Sequence, residues 1–262
     1  MKRYINTLQT FWKTAIATQL EYQVNFIIEL LAMIGTFIGS IFILSLFFNH
    51  GNNLGGWTWE EALIVQGIYT FLDGITNSWL RPNLREIVNY VREGTLDFVL
   101  LKPINSQFWV SCRTISPSGI PEIFLGLSVV IWSLNTIGNS INFSIILFFS
   151  CMLLASSIIL YSIWFLIAAT TIWFVKTWNA TEVLRALLAS GRYPINAYPP
   201  TFRFIFIFII PITFLTTVPS EIILEKSNGY MLYIGIFVAL IFFILSKKFW
   251  EFALSHYTSA SS

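Results

Sequence analysis

Residues 81–103 read RPNLREIVNYVREGTLDFVLLKP, the only long polar interruption in a chain that is otherwise one apolar run after another. Of the 15 Lys and Arg in the chain, Arg81, Arg85, Arg92 and Lys102 fall inside this stretch and Arg113 just beyond it. Leu84, Ile87, Val88 and Val91 recur at helical spacing, with Arg85, Glu86, Asn89, Arg92 and Glu93 between them. That is the pattern of an amphipathic helix. The spacing predicts a short helix held between two membrane segments, on the bilayer face where Lys and Arg collect. A chain otherwise buried in lipid has few places to meet a soluble partner, and this is the best one.

Working outward, the 262 residues are 56% hydrophobic and 11% charged, with a mean hydropathy of +0.72. A soluble domain carries about 25% charged residues. Several runs reach the ~20 apolar residues that a spanning helix needs, so the fold class is an all-α polytopic membrane protein. A net charge of +2 gives no footing for nucleic acid. Cys112 and Cys151 lie in or beside apolar segments without CxxC or Cys/His spacing, which argues against a disulfide or a metal site. The first residues show no continuous apolar region before a small-residue cleavage site, so no cleavable signal is expected. There is no G-x-x-x-x-G-K-[ST], H-E-x-x-H or G-x-S-x-G, and His50 and His256 have no evident partners. Catalysis and nucleotide binding are therefore not expected of this chain.

Residues 1–22 read as an interfacial helix, with Tyr4, Ile5, Leu8, Phe11, Trp12, Ala15 and Ile16 on one face and Lys2, Arg3 and Lys13 suited to anionic lipid. The remainder, 23–262, is a single transmembrane domain. Spans are expected at about 24–48, 60–80, 115–135 and 143–174, with Pro117 and Pro121 bending or delaying the start of the third. A last span covers 230–246 and is closed by Lys247 and Lys248. Loops free of Lys and Arg (49–59, and TIGNSIN) alternate with basic ones, which puts both termini and 81–113 in the cytoplasm.

Residues 175–229 leave two placements for a fifth span: the more apolar 204–218, broken by Pro211, or the less apolar 179–199. In the second, about 202–224 forms a broken, re-entrant hairpin at the outer face. The two differ in whether Arg192-Tyr193-Pro194 lies inside or outside.

Ionisable groups within spans are costly, and each is a functional candidate. Glu29 and Asp73 are expected at similar depth, and Glu182 and Arg185 join that layer if the fifth span is 179–199. One reading is an acidic inner vestibule for a cationic or amphipathic substrate; the other is structural ion pairing with Arg185. The Trp residues at predicted span ends read as an interfacial belt, with Trp132 and Trp164 deeper.

REGTLDFVLLKPIN (92–105), followed by Gln107 and Phe108, resembles the membrane subunits of ABC-2 type exporters, in the branch of small six-helix permeases with a separate ATPase. RYPINAYP (192–199), leading into IIPITFLTTVPSEIIL (209–224), carries the same resemblance. It implies six transmembrane helices in the ABC-2, or type V exporter, fold. It also implies an N-terminal connecting helix, a cytoplasmic coupling helix and a re-entrant outer hairpin, and it favours 179–199 as the fifth span. Coupling to the ATPase would fall on Leu84, Arg85, Ile87, Val88, Arg92, Glu93, Gly94 and Asp97, and the translocation path on Glu29, Asp73, Glu182 and Arg185. The implied partners are two ABC ATPase subunits, which hold the ATP and Mg, a second and non-identical permease, and membrane lipids. The implied place is the inner (plasma) membrane of a prokaryote, and the implied role is export of an amphipathic or cationic, drug-like molecule. A polysaccharide or lipid-linked glycan is the alternative cargo, and an ion-coupled secondary transporter using Glu29 and Asp73 the alternative class.

Overall fold

The computed structural model describes residues 2–20, 23–49, 54–138, 142–174 and 178–258. His50, part of the TIGNSIN loop and the ends of the expected 1–22 helix lie outside them, as do the side chains of Lys2, Arg3, Tyr4, Ile5 and Trp178. In chain order the helices are α1 (Lys2–Leu20), α2 (Gln23–Asn49), α3 (Trp59–Ile75), α4 (Arg81–Arg92), α5 (Leu96–Leu100) and α6 (Ser106–Cys112). They continue with α7 (Ile120–Ile137), α8 (Phe143–Ala169), α9 (Trp178–Leu188), α10 (Pro200–Phe204), α11 (Thr217–Ile223) and α12 (Tyr230–Ser255). Among the described residues there is no strand, only one isolated bridge between Leu54 and Trp57.

Among the described residues, four helical segments are long and apolar enough to cross a membrane: Val24–Asn49, Pro117–Ile137, Phe143–Ile172 and Tyr230–Ser255. The bent pair Pro200–Ile209 and Ile212–Ile223, meeting at 74°, makes a fifth candidate if taken as one. α3 falls outside this group, being only 17 residues long and carrying Glu60, Glu61, Gln66 and Asp73. It can carry Gln66 and Asp73 because it is the centre of the bundle, buried from Ala62 to Ile68 and packed against α7, α8 and α11.

Glycine sets the α3–α7 contact. Gly67 and Gly74 on α3 face Gly126 and Gly119, one pair at each end of a seven-residue step. A Cβ on Gly126 would lie 2.5 Å from the Gly67 carbonyl oxygen, and one on Gly74 would lie 2.6 Å from the Ile123 nitrogen. Small residues let helix backbones approach closely, and inside a bilayer that packing replaces the hydrophobic drive. α8 and α12 form the second long pair. In it Gly235 leaves room for Met152, and the Ser156 hydroxyl reaches the Phe214 carbonyl at 2.7 Å.

α3 does not stop where the second span was expected to end. A π-helical turn, Thr76–Leu80, passes directly into α4, and the Ser78 carbonyl that the missing N–H of Pro82 leaves without a helical donor accepts instead from Ser116 N–H at 2.6 Å. α4 ends in a Schellman motif: Thr95 N–H bonds the Tyr90 carbonyl at 2.9 Å and Gly94 N–H the Val91 carbonyl at 3.3 Å, with Gly94 at φ 67°. Gly94→Ala should lower stability by about 1–2 kcal/mol, visible as a lower melting midpoint in detergent.

One boundary needs correction. The last helix does not close at Lys247 and Lys248 but runs on to Ser255. Trp250 is buried and its indole N–H donates to Ser106 Oγ at 3.0 Å, and Ala253 is buried beyond it. Those contacts keep the chain helical past the lysines.

Residues 178–209 contain no helix of span length. α9 gives way to a 3-10 turn (Ala189–Arg192), and Tyr193 is extended before Pro194. In the other candidate, 204–218, the helix breaks at Ile210 and Pro211. The turn Thr170–Ile172 that precedes α9 packs on α4, whereas Asn196 lies against Gly55 and Tyr193 stacks edge-on with Phe47 at 5.8 Å. Thr170–Ile172 thus lies beside α4, and Tyr193 and Asn196 lie near the end of α2 and the turn before α3.

Candidate functional site: a charged layer on α3 and the segment 81–113

Asp73 sits between two cavities. One is lined by Tyr69, Asp73, Thr76, Trp164, Arg185 and Thr216 among others. The second is lined by Ser40, Gln66, Tyr69, Asp73, Glu122 and Arg192, with Met33, Thr36 and Phe37 of α2. Each has room for about 30 Å3 of water-sized occupant, which is one or two waters.

The polar groups here come from α2, α3 and the π turn after it, α7, α8 and the stretches around Arg192 and Thr216. The Arg192 guanidinium lies over the Tyr69 ring at 4.9 Å, a cation–π contact. Glu122 accepts a hydrogen bond from Asn77 Nδ2–H at 2.8 Å, and Gln66 Nε2–H donates to Ser40 Oγ at 3.0 Å. Gln66 Oε1, Trp164 Nε1, Arg192 Nε and Thr216 Oγ1 are buried without a protein partner. Buried polar atoms are nearly always satisfied, so four such atoms around two small cavities mark places for water or a polar ligand group.

Of the four path residues expected from sequence, the structure brings together Asp73 and Arg185. Glu29 is exposed on α2, where its Oε1 accepts from Asn25 at 3.1 Å, and Glu182 is exposed on α9. Met33, not Glu29, lines the cavity beside Asp73, so Glu29 is offset by four residues, or ~6 Å along the helix. Arg192, Glu122, Tyr69 and Gln66 were missed. The layer thus holds two carboxylates, Asp73 and Glu122, and two guanidiniums, Arg185 and Arg192. Trp164 borders it, and Trp132 faces outward, 57% exposed.

The second site is the polar segment. Leu84 and Ile87 are buried and Val88 half-buried: they hold α4 against the bundle. Arg85, Arg92 and Glu93 are exposed, and Asp97 is half-buried. Past the turn at Gly94, Phe98 and Leu101 are 68% and 81% exposed.

Asn83, also unanticipated, pins this segment. Its Nδ2 donates to the Trp79 and Thr114 carbonyls at 2.7 and 2.6 Å, and its Oδ1 accepts from Thr114 N–H at 2.8 Å. The Trp79 indole N–H adds a bond to the Ser111 carbonyl at 2.6 Å, and Ser116 N–H one to the Ser78 carbonyl at 2.6 Å. Arg113 donates to the Tyr90 hydroxyl, whose pKa burial pushes up while the guanidinium opposes the rise. The phenol stays neutral at physiological pH.

α1 joins the same region, as Phe11 packs edge-on against Trp109 at 4.9 Å and Lys102 Nζ sits over that indole at 4.2 Å. Asn83→Leu leaves the Thr114 groups unpaired, and about 1–3 kcal/mol should be lost for each buried group stranded. Faster amide exchange at 111–116 would report it.

The long apolar helices, the polar-cored α3 and the exposed amphipathic segment define a multi-pass helical membrane protein. The chain belongs to the ABC-2 family transporter proteins, whose family model matches residues 34–261. It is thus the membrane component, not the ATPase, of an ABC exporter, a kind of protein that works with an ABC ATPase. No curated protein matches it significantly, and no solved structure does.

Proposed function

We propose that this chain is a permease subunit that couples ATP hydrolysis on a separate ATPase, through 81–103, to export of an amphipathic or cationic small molecule. The observation that carries this reading is the helical continuity of α3, the π turn and α4. A push on Arg85 or Glu93 travels along one rod to Asp73 without crossing a loop. Because Leu84 and Ile87 face inward, the surface offered to the ATPase consists of Arg85, Arg92 and Glu93, the turn at Gly94, and exposed Phe98 and Leu101. ATP and Mg belong to the partner, taken up as two copies, at the cytoplasmic end with both termini.

A second permease, in this reading a non-identical one, covers α2. That helix is almost bare: Ile27, Ile28, Leu31, Ile38 and Phe42 are exposed, and Gly35 and Gly39 meet nothing within 4 Å. The layer around Asp73 would then face the path between the two permeases, in the inner membrane of a prokaryote.

Tagged pull-down in mild detergent tests the coupling. Wild type should retain a P-loop ATPase with measurable turnover, and Phe98→Asp/Leu101→Asp should reduce capture at least tenfold with unchanged melting. A chain that purifies alone and transports down an ion gradient would defeat the proposal.

A further inference from the structure

The largest cavity described lies away from the charged layer, between α6, α8 and α12. It measures about 540 Å3 and is lined by Gln107, Ser111, Ile158, Tyr161, Phe243 and Lys247 among others. That is within the ~300–1,000 Å3 of small-molecule sites.

Its walls are graded. Leu154, Ile158 and Tyr161 share one face of α8, and Phe243 and Lys247, one turn apart, share one face of α12. Leu154, Ile158 and Phe243 are 66, 40 and 43% exposed, so the cavity opens sideways through hydrocarbon side chains, where lipid lies. At the other end stand Asn105, Gln107 and Lys247. Lys247 is the one charged group in the lining, and no carboxylate joins it. It comes 17 residues after Tyr230, where α12 starts, or about 26 Å along the axis. The hydrocarbon core is about 30 Å thick, which puts the ammonium at headgroup level.

The polar wall is already built. Tyr161 OH accepts from Gln107 Nε2–H at 3.1 Å and lies 2.9 Å from Ser111 Oγ, and its ring stacks on Trp79 at 6.0 Å. A groove with an apolar side door, a preset polar end and a single cation at headgroup depth suits one kind of occupant.

We propose that this groove is a binding site for an anionic phospholipid of the leaflet next to 81–113, its acyl chain along Leu154, Ile158 and Phe243 and its phosphate on Lys247. The bound lipid would wedge α6, at the end of the coupling segment, against α8 and α12.

The test is native mass spectrometry of the full chain released from phosphatidylcholine nanodiscs containing phosphatidylglycerol. Wild type should retain phosphatidylglycerol in preference, and Lys247→Gln should lose about fivefold of that preference. Lys247→Arg should keep it, as should Lys248→Gln, since Lys248 does not line the groove. Ser157→Trp, which fills the groove, should lower retention of both lipids. The assignment fails if Lys247→Gln retains phosphatidylglycerol like wild type or Lys248→Gln loses as much. It also fails if inorganic phosphate displaces the lipid, or if Ser157→Trp melts like wild type yet retains both lipids.

Discussion

Gly126→Leu should leave almost no folded protein. The position has no room: the added Cβ alone would lie 2.5 Å from the Gly67 carbonyl oxygen and 2.9 Å from Phe71 Cα, and both are backbone. A flexible side chain could swing aside, but two helix backbones can only separate. Separation would open the α3–α7 contact along its length and unseat Gly74 from Gly119 as well. Gly126→Ala should cost about 1–3 kcal/mol, the range for overpacking, and leucine more than the bundle tolerates. The control is Gly35→Leu, equally apolar and also in a long apolar helix, where nothing lies within 4 Å. Size-exclusion profiles of detergent extracts should show a folded peak for Gly35→Leu and aggregate for Gly126→Leu. Equal behaviour of the two would mean that the close contact between α3 and α7 does not exist.

Asp73→Ala should have the second-largest effect, and it should be partly reversible by a second change. Removing the carboxylate leaves Arg185 and Arg192 at the two cavities with Glu122 as the remaining counter-charge, itself bonded to Asn77. Arg192 is part-buried and Arg185 exposed, so the loss should stay below the about 3–5 kcal/mol of stranding a fully buried charge. The double variant Asp73→Ala/Arg192→Gln should recover a substantial part of the melting temperature lost by the single variant, because it removes the charge that was stranded. If the losses simply add, Asp73 and Arg192 are not coupled across the cavity between them. Transport should stay impaired in the double variant even where folding returns, which separates the two roles of the layer.

The same residues show what could be read in advance. Spans near 24–48 and 143–174 follow from run length, since an apolar stretch of that size has no other way to satisfy its backbone in lipid. The amphipathic α4 follows from the spacing of Leu84, Ile87 and Val91. Its orientation does not: the same period suits a helix that offers its apolar face to a partner and one that presses it on its own bundle. Gly67 and Gly126 are unremarkable glycines in sequence, because a missing side chain carries no sign of which helix will approach it. Asp73 could be flagged from its cost. That Arg192 shares a cavity with it could not be read, because the segment that carries Arg192 has neither the length of a span nor a helical period. Asn83 reads as one more polar residue in a polar stretch until the backbone of Thr114 is placed beside it.

The π turn at Thr76–Leu80 has a consequence for rotational phase. A π turn holds one residue more than an α turn, and each residue of an α-helix advances the azimuth by about 100°. Everything after Leu80 is therefore indexed one residue late relative to α3. An unbroken α-helix with this sequence would point a different azimuth of α4 at the bundle and bring other residues to the surface in place of Arg85 and Glu93. The helix from Trp59 to Arg92 works like a shaft cut with an offset keyway: it is unbroken end to end, and its two halves are set to different bearings.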